Sequence, residues 1–299
     1  YQCKEDTIPK FKGISLDIKA TTKLYGIFGH PVTQSLSPLI HNFAFNKLGL
    51  DCIYLGFDIK PPNIRAAINS IKVLNIQGIN ITIPHKEAVI SELDELTESV
   101  ILTGAVNTIK NENGRLVGYN TDVTGVMRAI KEEFNFDPHY KTALVIGAGG
   151  ASRAVIAGMC LNGISKIIIV NRTLSKAEQL MNSFSDQFPN IVFKTASLDD
   201  EKKLKSFISD SDIFINSASA GMGDIPPLKI PLGAVSKDCP VYDLVYKPAL
   251  TPLVKQARAL NLKAQSGLSM LLYQGVEAFE IWTGIKPPVK EMREILFNS

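Results

Sequence analysis

A chain of 299 residues, 45% of them hydrophobic, suits two domains of roughly 100 to 200 residues each, with apolar material for two cores. The net charge of +3 comes from 32 basic and 29 acidic residues interspersed along the chain, which leaves no basic stripe to neutralise a nucleic-acid backbone. No apolar run approaches the roughly 18 to 20 residues that cross a bilayer, so nucleic-acid and membrane partners are set aside.

Residues 1–23 are polar and weakly periodic and read as an extension; the chain opens at Tyr1 with no visible signal peptide. From there the pattern predicts a strand over 24–29, a helix from Pro38, a strand over 52–57, a helix over 62–73 and a strand over 79–83, the βαβαβ order of a parallel sheet. A hairpin follows, 106–110 and 116–119, with Asn113-Gly114 supplying the positive φ of a tight turn. A helix over 123–134 leads to a second alternating series: strands at 142–146, 166–170, 191–194, 213–216 and 241–244, and helices at 151–161, 174–184, 199–208 and 252–260. Two further helices, 268–282 and 289–297, are not needed by the second sheet and are expected to pack back on the first domain, leaving a cleft between the two. The fold expected is α/β with two domains: residues 1–121 and 268–299 form a mostly parallel substrate-binding and catalytic domain, and 122–267 a Rossmann-like, doubly wound nucleotide domain.

The four cysteines, Cys3, Cys52, Cys160 and Cys239, form no CxxC, and three lie in apolar surroundings that read as core, which fits a reducing, cytoplasmic compartment. His30, His41, His85 and His139 have no metal-ligand spacing, so no metal is expected.

The strand at 142–146 runs into Gly147-Ala148-Gly149-Gly150-Ala151-Ser152-Arg153 and then a helix, the context a dinucleotide fingerprint demands. Gly147 permits the tight turn, Gly149 admits the pyrophosphate to backbone amides, and Ser152 replaces the usual third small residue. The plain alternative is a glycine-rich structural turn. After the next strand an NAD enzyme places a carboxylate for the ribose 2′-OH, about 20 residues beyond the turn. This chain has Asn171-Arg172-Thr173 instead, and the planar donors of Arg172 match a 2′-phosphate, so NADP(H) is the cofactor expected. Arg153 is expected to reach the same phosphate.

Upstream, Ser35-Leu36-Ser37-Pro38 sets two hydroxyls on one side, able to grip one carboxylate together. Ser37 also reads as the N-cap of a helix with Pro38 at its first position, whereas capping does not explain Ser35. Lys86 and Asp122 are the candidate acid/base pair: an ammonium within reach of a carbonyl oxygen stabilises the charge that develops as hydride arrives and can deliver a proton. A lysine with a free pKa of about 10.4, raised further by a carboxylate, is a poor base, so Lys86 reads mainly as donor and electrostatic stabiliser. Their bland readings are a solvated lysine and a helix-starting aspartate. Met270 and Gln274, one helical turn apart, should both face the cleft, with core packing the alternative for Met270. Gly221-Met222-Gly223 and Gly267 read as hinge or cofactor-facing loops.

Taken in order, Gly29-x-Pro31-x-x-x-Ser35-x-Ser37-Pro38, Asn80-x-Thr82-x-Pro84-x-Lys86, Gly104-Ala105-Val106-Asn107-Thr108, Asn120-Thr121-Asp122, the glycine-rich turn, Asn171-Arg172-Thr173, Asp243-Leu244-Val245-Tyr246-x-Pro248 and Gly267-x-x-Met270-Leu271-x-x-Gln274 resemble the shikimate dehydrogenase family in order and spacing, over residues 24 to about 288. The resemblance implies an oxidoreductase that reversibly reduces 3-dehydroshikimate to shikimate with NADPH, on the route to chorismate and the aromatic amino acids. It implies that Ser35 and Ser37 bind the substrate carboxylate, that Thr82, Asn107 and Gln274, with Lys86 and Asp122, bind ring hydroxyls, and that Tyr246 lines the pocket beside the nicotinamide. Asn80 is expected nearby. Gly147 to Arg153, Asn171 to Thr173, Gly267 and Met270 fall on the cofactor side. The competing readings are an NAD-dependent quinate/shikimate dehydrogenase, which Arg172 opposes, a non-catalytic nucleotide or metabolite sensor, which the intact Lys86/Asp122 pair opposes, and one half of a bifunctional chain. A monomer or homodimer is expected.

Overall fold

The computed structural model describes residues 18–223 and 225–299. Cys3 and most of the expected N-terminal extension therefore lie outside the described residues.

The first sheet is built from β1 (Lys23–Gly29), β2 (Cys52–Asp58), β3 (Gly78–Ile81), β4 (Glu95–Leu96), β5 (Thr108–Glu112) and β6 (Arg115–Tyr119). Its order is β2-β1-β3-β5-β6-β4. β1 runs parallel to β2 and β3, and β5 turns antiparallel to β3 and β6. Helices α1 (Ser37–Lys47) and α2 (Ile64–Val73) make the two parallel crossovers, and α3 (Glu98–Thr103) precedes the hairpin. The hairpin turns where expected, with φ of 54° at Asn113 and 93° at Gly114, which is why asparagine and glycine stand there.

Helix α4 (Asp122–Phe134) leads to the second sheet: β7 (Thr142–Ile146), α5 (Gly150–Leu161), β8 (Lys166–Asn171), α6 (Leu174–Ser185), β9 (Val192–Ser197), α7 (Glu201–Ser209), β10 (Ile213–Asn216), β11 (Val241–Asp243), α8 (Pro252–Ala259) and β12 (Ala264–Ser266). All six strands are parallel, in the order β12-β11-β10-β7-β8-β9. Strands β7 and β8 read as continuous apolar runs because helices cover both faces. Leu144, Ile146, Ile168 and Val170 enter one apolar cluster, while Ala143, Val145, Ile167 and Ile169 enter another, as the two-residue alternation of a strand requires. Each such Leu, Ile or Val side chain contributes roughly 1.5–3 kcal/mol by leaving water.

Helices α9 (Leu268–Thr283) and α10 (Val289–Phe297) return to the first sheet. Trp282 Nε1 donates to the Ile109 carbonyl at 3.0 Å, and its indole lies so close to Gly78 that a Cβ there would sit 2.3 Å from Nε1. Phe279 packs on Phe45 at 5.1 Å between ring centres. His41 is sealed among these rings, with no hydrogen-bond partner on either nitrogen, and burial pushes its pKa down to about 3. Among the described residues, β4 and β12, of two and three residues, and α3, of six, escape the sequence pattern because they are too short to show a period. The helix expected from Pro62 opens as a 3-10 turn over Pro61–Asn63.

Among the described residues no helix is long and apolar enough to cross a membrane, and no group of three or more His, Cys, Asp or Glu side chains could hold a metal ion.

Candidate active site

The loop after β3 and the start of α4 bring Lys86 and Asp122 together, with Lys86 Nζ 2.5 Å from Asp122 Oδ2 and the two side chains 16% and 6% exposed. Each partner is held from behind. Val106 N donates to the Lys86 carbonyl at 2.8 Å, which ties the lysine's backbone to the segment entering β5. Asn107 Nδ2 donates to Asp122 Oδ1 and to Thr121 Oγ1, both at 2.9 Å, and lies 3.5 Å from Gln274 Oε1. Thr121 N donates to Asn107 Oδ1 at 2.8 Å, and Thr121 Oγ1 donates to the Gln274 carbonyl at 3.0 Å. Asp122 is the first residue of α4, but its carboxylate serves Lys86 and Asn107, not an N-terminal cap. Gly125, one turn on, lets α9 approach so closely that a Cβ there would meet Gln274 N at 2.8 Å.

Thr82 lies just past β3, its methyl against Gly29, where an added Cβ would come within 2.3 Å. Ser37 is buried and Ser35 half-buried. Ser37 is not the N-cap: Leu36 occupies that position without a side-chain hydrogen bond, and Ser37 is already helical. Ser35 has a local structural bond, its Oγ accepting from the Ser37 amide at 3.3 Å. Tyr54, a buried residue without a motif, donates its phenol to Asn80 Oδ1 at 2.7 Å. Burial pushes the Tyr54 phenol well up, with a smaller contribution from Tyr246, whose own phenol is raised by burial. Asn80 is buried, hydrogen bonded to Tyr54, Thr108 and the Asn107 carbonyl.

The glycine-rich turn leaves β7 with Gly147 at φ 114°, and a Cβ there would meet Ser217 Oγ at 2.8 Å. Ser152 Oγ accepts from Gly149 N at 3.2 Å and pairs with Ser217 Oγ at 2.7 Å, so the small third residue pins the turn to the end of β10. Ser217 carries no sequence signal of its own. Ala148 and Ala151 flank glycines whose needs differ. Gly149 opens onto free space, as backbone approach by a pyrophosphate requires, whereas Gly150 is filled by the other half of the molecule: a Cβ there would lie 3.2 Å from Lys86 Cδ and 3.9 Å from Ala105 Cβ. The acid/base pair and the turn are thus in contact.

At the strand ends beside the turn lies a cavity of about 900 Å³ lined by Ile146, Asn171, Arg172, Asp199, Lys205 and Lys229, among others. Thr173 stands at the N-cap position of α6 without a side-chain capping bond, and its carbonyl accepts from Asn171 Nδ2 at 2.9 Å. Arg153 does not line this cavity, contrary to the expectation that it joins Arg172. Its guanidinium turns to the first sheet, with Nη1 on the Thr103 carbonyl at 3.3 Å and Nε 3.7 Å from Glu87. The reason is its place on the face of α5 that packs on α3. Lys205 and Lys229, which do line the cavity, were hidden in a surface helix and a motif-free segment. Gly267 nearly touches the Leu244 carbonyl, 2.3 Å from where a Cβ would be. Met270 is buried in the main apolar core, while Gln274, one turn on, reaches Asn107; only one of the pair meets the polar site.

One turn beyond Gln274, Glu277 accepts from Thr124 Oγ1; burial and then the Asp122 charge push its pKa up to about 7. Cys52 is half-buried, and Cys160 and Cys239 are buried free thiols pushed up to about 12 by burial.

An open glycine turn at a helix N-terminus, a buried ammonium–carboxylate pair touching it and a polar pocket behind the pair define a nicotinamide-dependent oxidoreductase of two α/β units. Family profiles agree: "Shikimate dehydrogenase substrate binding domain" matches residues 27–109, "Shikimate / quinate 5-dehydrogenase" residues 129–223, and "Shikimate 5'-dehydrogenase C-terminal domain" residues 267–297. A relative from Methanopyrus kandleri, named shikimate dehydrogenase (NADP(+)), is 40% identical over 288 residues, 95% of this chain and 98% of its own. Shikimate 5-dehydrogenase from Listeria monocytogenes, solved with shikimate and NAD, superposes with a TM-score of 0.86 at 35% identity, covering 95% of this chain and 99% of that one. Quinate dehydrogenase from Corynebacterium glutamicum, solved with NAD, gives 0.84 at 28% identity, with 93% and 99% covered. The chain belongs to the shikimate dehydrogenase family.

Proposed function

We propose that this protein is an NADP-dependent shikimate dehydrogenase that reversibly reduces 3-dehydroshikimate to shikimate. The observation that carries the reading is the Lys86–Asp122 pair, buried at 2.5 Å and in contact with the cofactor turn at Gly150. Gly147 to Arg153 would hold the dinucleotide, which would supply the hydride. Lys86 Nζ holds the proton that the reduced carbonyl oxygen needs and offsets the charge developing there. Asp122 fixes the ammonium and shares the ring hydroxyls with Asn107, Thr82 and Gln274, while Ser35 and Ser37 take the carboxylate and Tyr246 closes the pocket. Buried polar partners of this kind reject analogues that lack a hydroxyl.

Asn171, Arg172 and Thr173 hold the 2′-phosphate in this reading, and Gly267 and Met270 complete the cofactor side as the resemblance implies. What supports NADP over NAD is the arginine in place of a carboxylate after β8, with Lys205 and Lys229 adding positive charge to the same cavity. The same reading divides the chain into 1–121 with 268–299, and 122–267, supported by two separate sheets and by Trp282 against Gly78. It also assigns a monomer or homodimer in the cytoplasm, where free thiols persist.

The test is the rise of reduced-nicotinamide absorbance with shikimate or quinate and either oxidised cofactor. The expected outcome is a kcat/KM highest for shikimate with NADP+. A preference for quinate with NAD+ makes this chain a quinate dehydrogenase, and tight binding without turnover makes it a sensor.

A further inference from the structure

Arg153 stands at the end of the glycine-rich turn in the second unit, yet its side chain crosses to the first. It follows Gly150 by three positions, so the two residues share one face of α5. Gly150 comes up against Lys86, where an added Cβ would lie 3.2 Å from Lys86 Cδ, and Arg153 comes up against the next residue, with Nε 3.7 Å from Glu87 Oε1. The other end of the guanidinium donates from Nη1 to the Thr103 carbonyl at 3.3 Å. Thr103 is the last residue of α3, where carbonyls lack partners along the helix and a cation is favourable.

Arg153 thereby grips the junction from which both reacting groups are held. The Ala105 amide donates to Thr103 Oγ1 at 3.3 Å, and the amide of the next residue, Val106, donates to the Lys86 carbonyl at 2.8 Å. On the other side, Asn120 Nδ2 donates to Thr103 Oγ1 and to the Ala105 carbonyl, both at 2.9 Å, while Asn120 Oδ1 accepts from the Asp122 amide at 3.2 Å. The turn from Thr103 to Ala105 therefore stands between Lys86 and Asp122, and Arg153 joins it to the helix of the glycine-rich turn. This arginine is no solvated surface charge: its side chain is 22% exposed, and Nε is buried without a hydrogen bond. At 3.7 Å the Glu87 carboxylate is in ion-pair reach but too far to accept that proton, and an approach of the two units by roughly 1 Å completes the bond.

We propose that Arg153 is a positioning residue that clamps the glycine-rich turn onto the Lys86 loop: through Thr103 and Glu87 it fixes how the two lie against one another. This rests on the reading that Lys86 serves the reacting carbonyl and that Gly147 to Arg153 hold the dinucleotide. Substrate groups belong to the first unit and nucleotide groups to the second, so loss of the clamp leaves each pocket intact and misaligns the pair.

The experiment compares the natural chain with Arg153→Met in initial rates with shikimate and either NADP+ or NAD+, each rate expressed per NADP+ site titrated. The variant should lose about tenfold in kcat on both cofactors, the scale of a misplacement of about half an ångström, with the KM for shikimate and the Kd for NADP+ changed less than about twofold. Glu87→Gln should lower kcat about two- to threefold, as a half-exposed ion pair allows, and nothing further when added to Arg153→Met. An arginine that only supports folding would reduce the number of NADP+ sites and leave the rate per site unchanged, which overturns the proposal, as does full additivity of the two substitutions. A raised Kd for NADP+ with NAD+ kinetics spared would make Arg153 a phosphate ligand and overturns it equally. Should Arg153→Met fail to fold, Arg153→Lys keeps the charge but not the fork that spans two acceptors, and must show the same split between kcat and KM. A natural chain inactive on shikimate overturns both this inference and the proposed function, whereas an active one with an unaltered variant sinks this inference alone.

Discussion

Gly125→Ala tests whether the crossing of α4 and α9 sets the geometry of the site. The added Cβ would meet Gln274 N at 2.8 Å, Gln274 Cβ at 2.9 Å and Gln274 Cα at 3.1 Å, all closer than van der Waals contact. Two of the three are backbone atoms, so the helices themselves must part, by roughly half an ångström or more. Overpacking costs about 1–3 kcal/mol, and alanine returns about 1 kcal/mol of helix propensity, so stability should fall by at most about 2 kcal/mol, a few degrees of melting temperature. Activity should suffer more. Asp122 rides on α4 and Gln274 on α9, and the Asn107 to Gln274 contact is already 3.5 Å long, at the limit of a hydrogen bond. Misplacement of about 1 Å can cost a hundredfold, so a shift of half that size should lower kcat/KM about tenfold. The assay is initial rate with shikimate and NADP+ beside a thermal melt, with Gly233→Ala, whose Cβ meets nothing within 4 Å, as the neutral control. Kinetics within about twofold of the parent would refute the claim that this close approach holds the site together.

Lys86→Ala should cut kcat by about a hundredfold or more while substrate KM changes less, and near-normal turnover would remove Lys86 from the mechanism. Arg172→Ala should raise the KM for NADP+ about tenfold or more with little change for NAD+, measured as the ratio of the two kcat/KM values; equal losses on both cofactors would contradict a 2′-phosphate contact. Acid should unfold the protein partly through His41, whose pKa falls from 6.5 to about 3 on burial. Between those values the unfolded chain binds a proton that the folded one refuses, so stability is full above pH 6.5 and declines toward pH 3, by on the order of 4 kcal/mol. His41→Leu should flatten that decline in a melting series, and an unchanged slope would assign the acid lability elsewhere.

Local chemistry made much of this molecule legible in its residues. Strands β7 and β10 and helix α10 begin and end where their apolar periods do, Asn113-Gly114 turns because both residues tolerate positive φ, and Gly147 with Ser152 marks the cofactor turn because a tight exit from a strand needs them. These are properties of neighbours along the chain. Contacts between distant residues are beyond such reasoning unless a family resemblance supplies them: Lys86 and Asp122 are 36 positions apart, Asn107 and Gln274 167. Packing alone turned Arg153 toward Thr103, buried Met270 while its neighbour one turn on reached Asn107, put Leu36 and not Ser37 at the helix N-cap, and set the Tyr54 phenol on Asn80. Periodicity tells which face of an element is buried, but what that face meets depends on how closely two backbones approach, and here bare glycines at 78, 125 and 150 allow it.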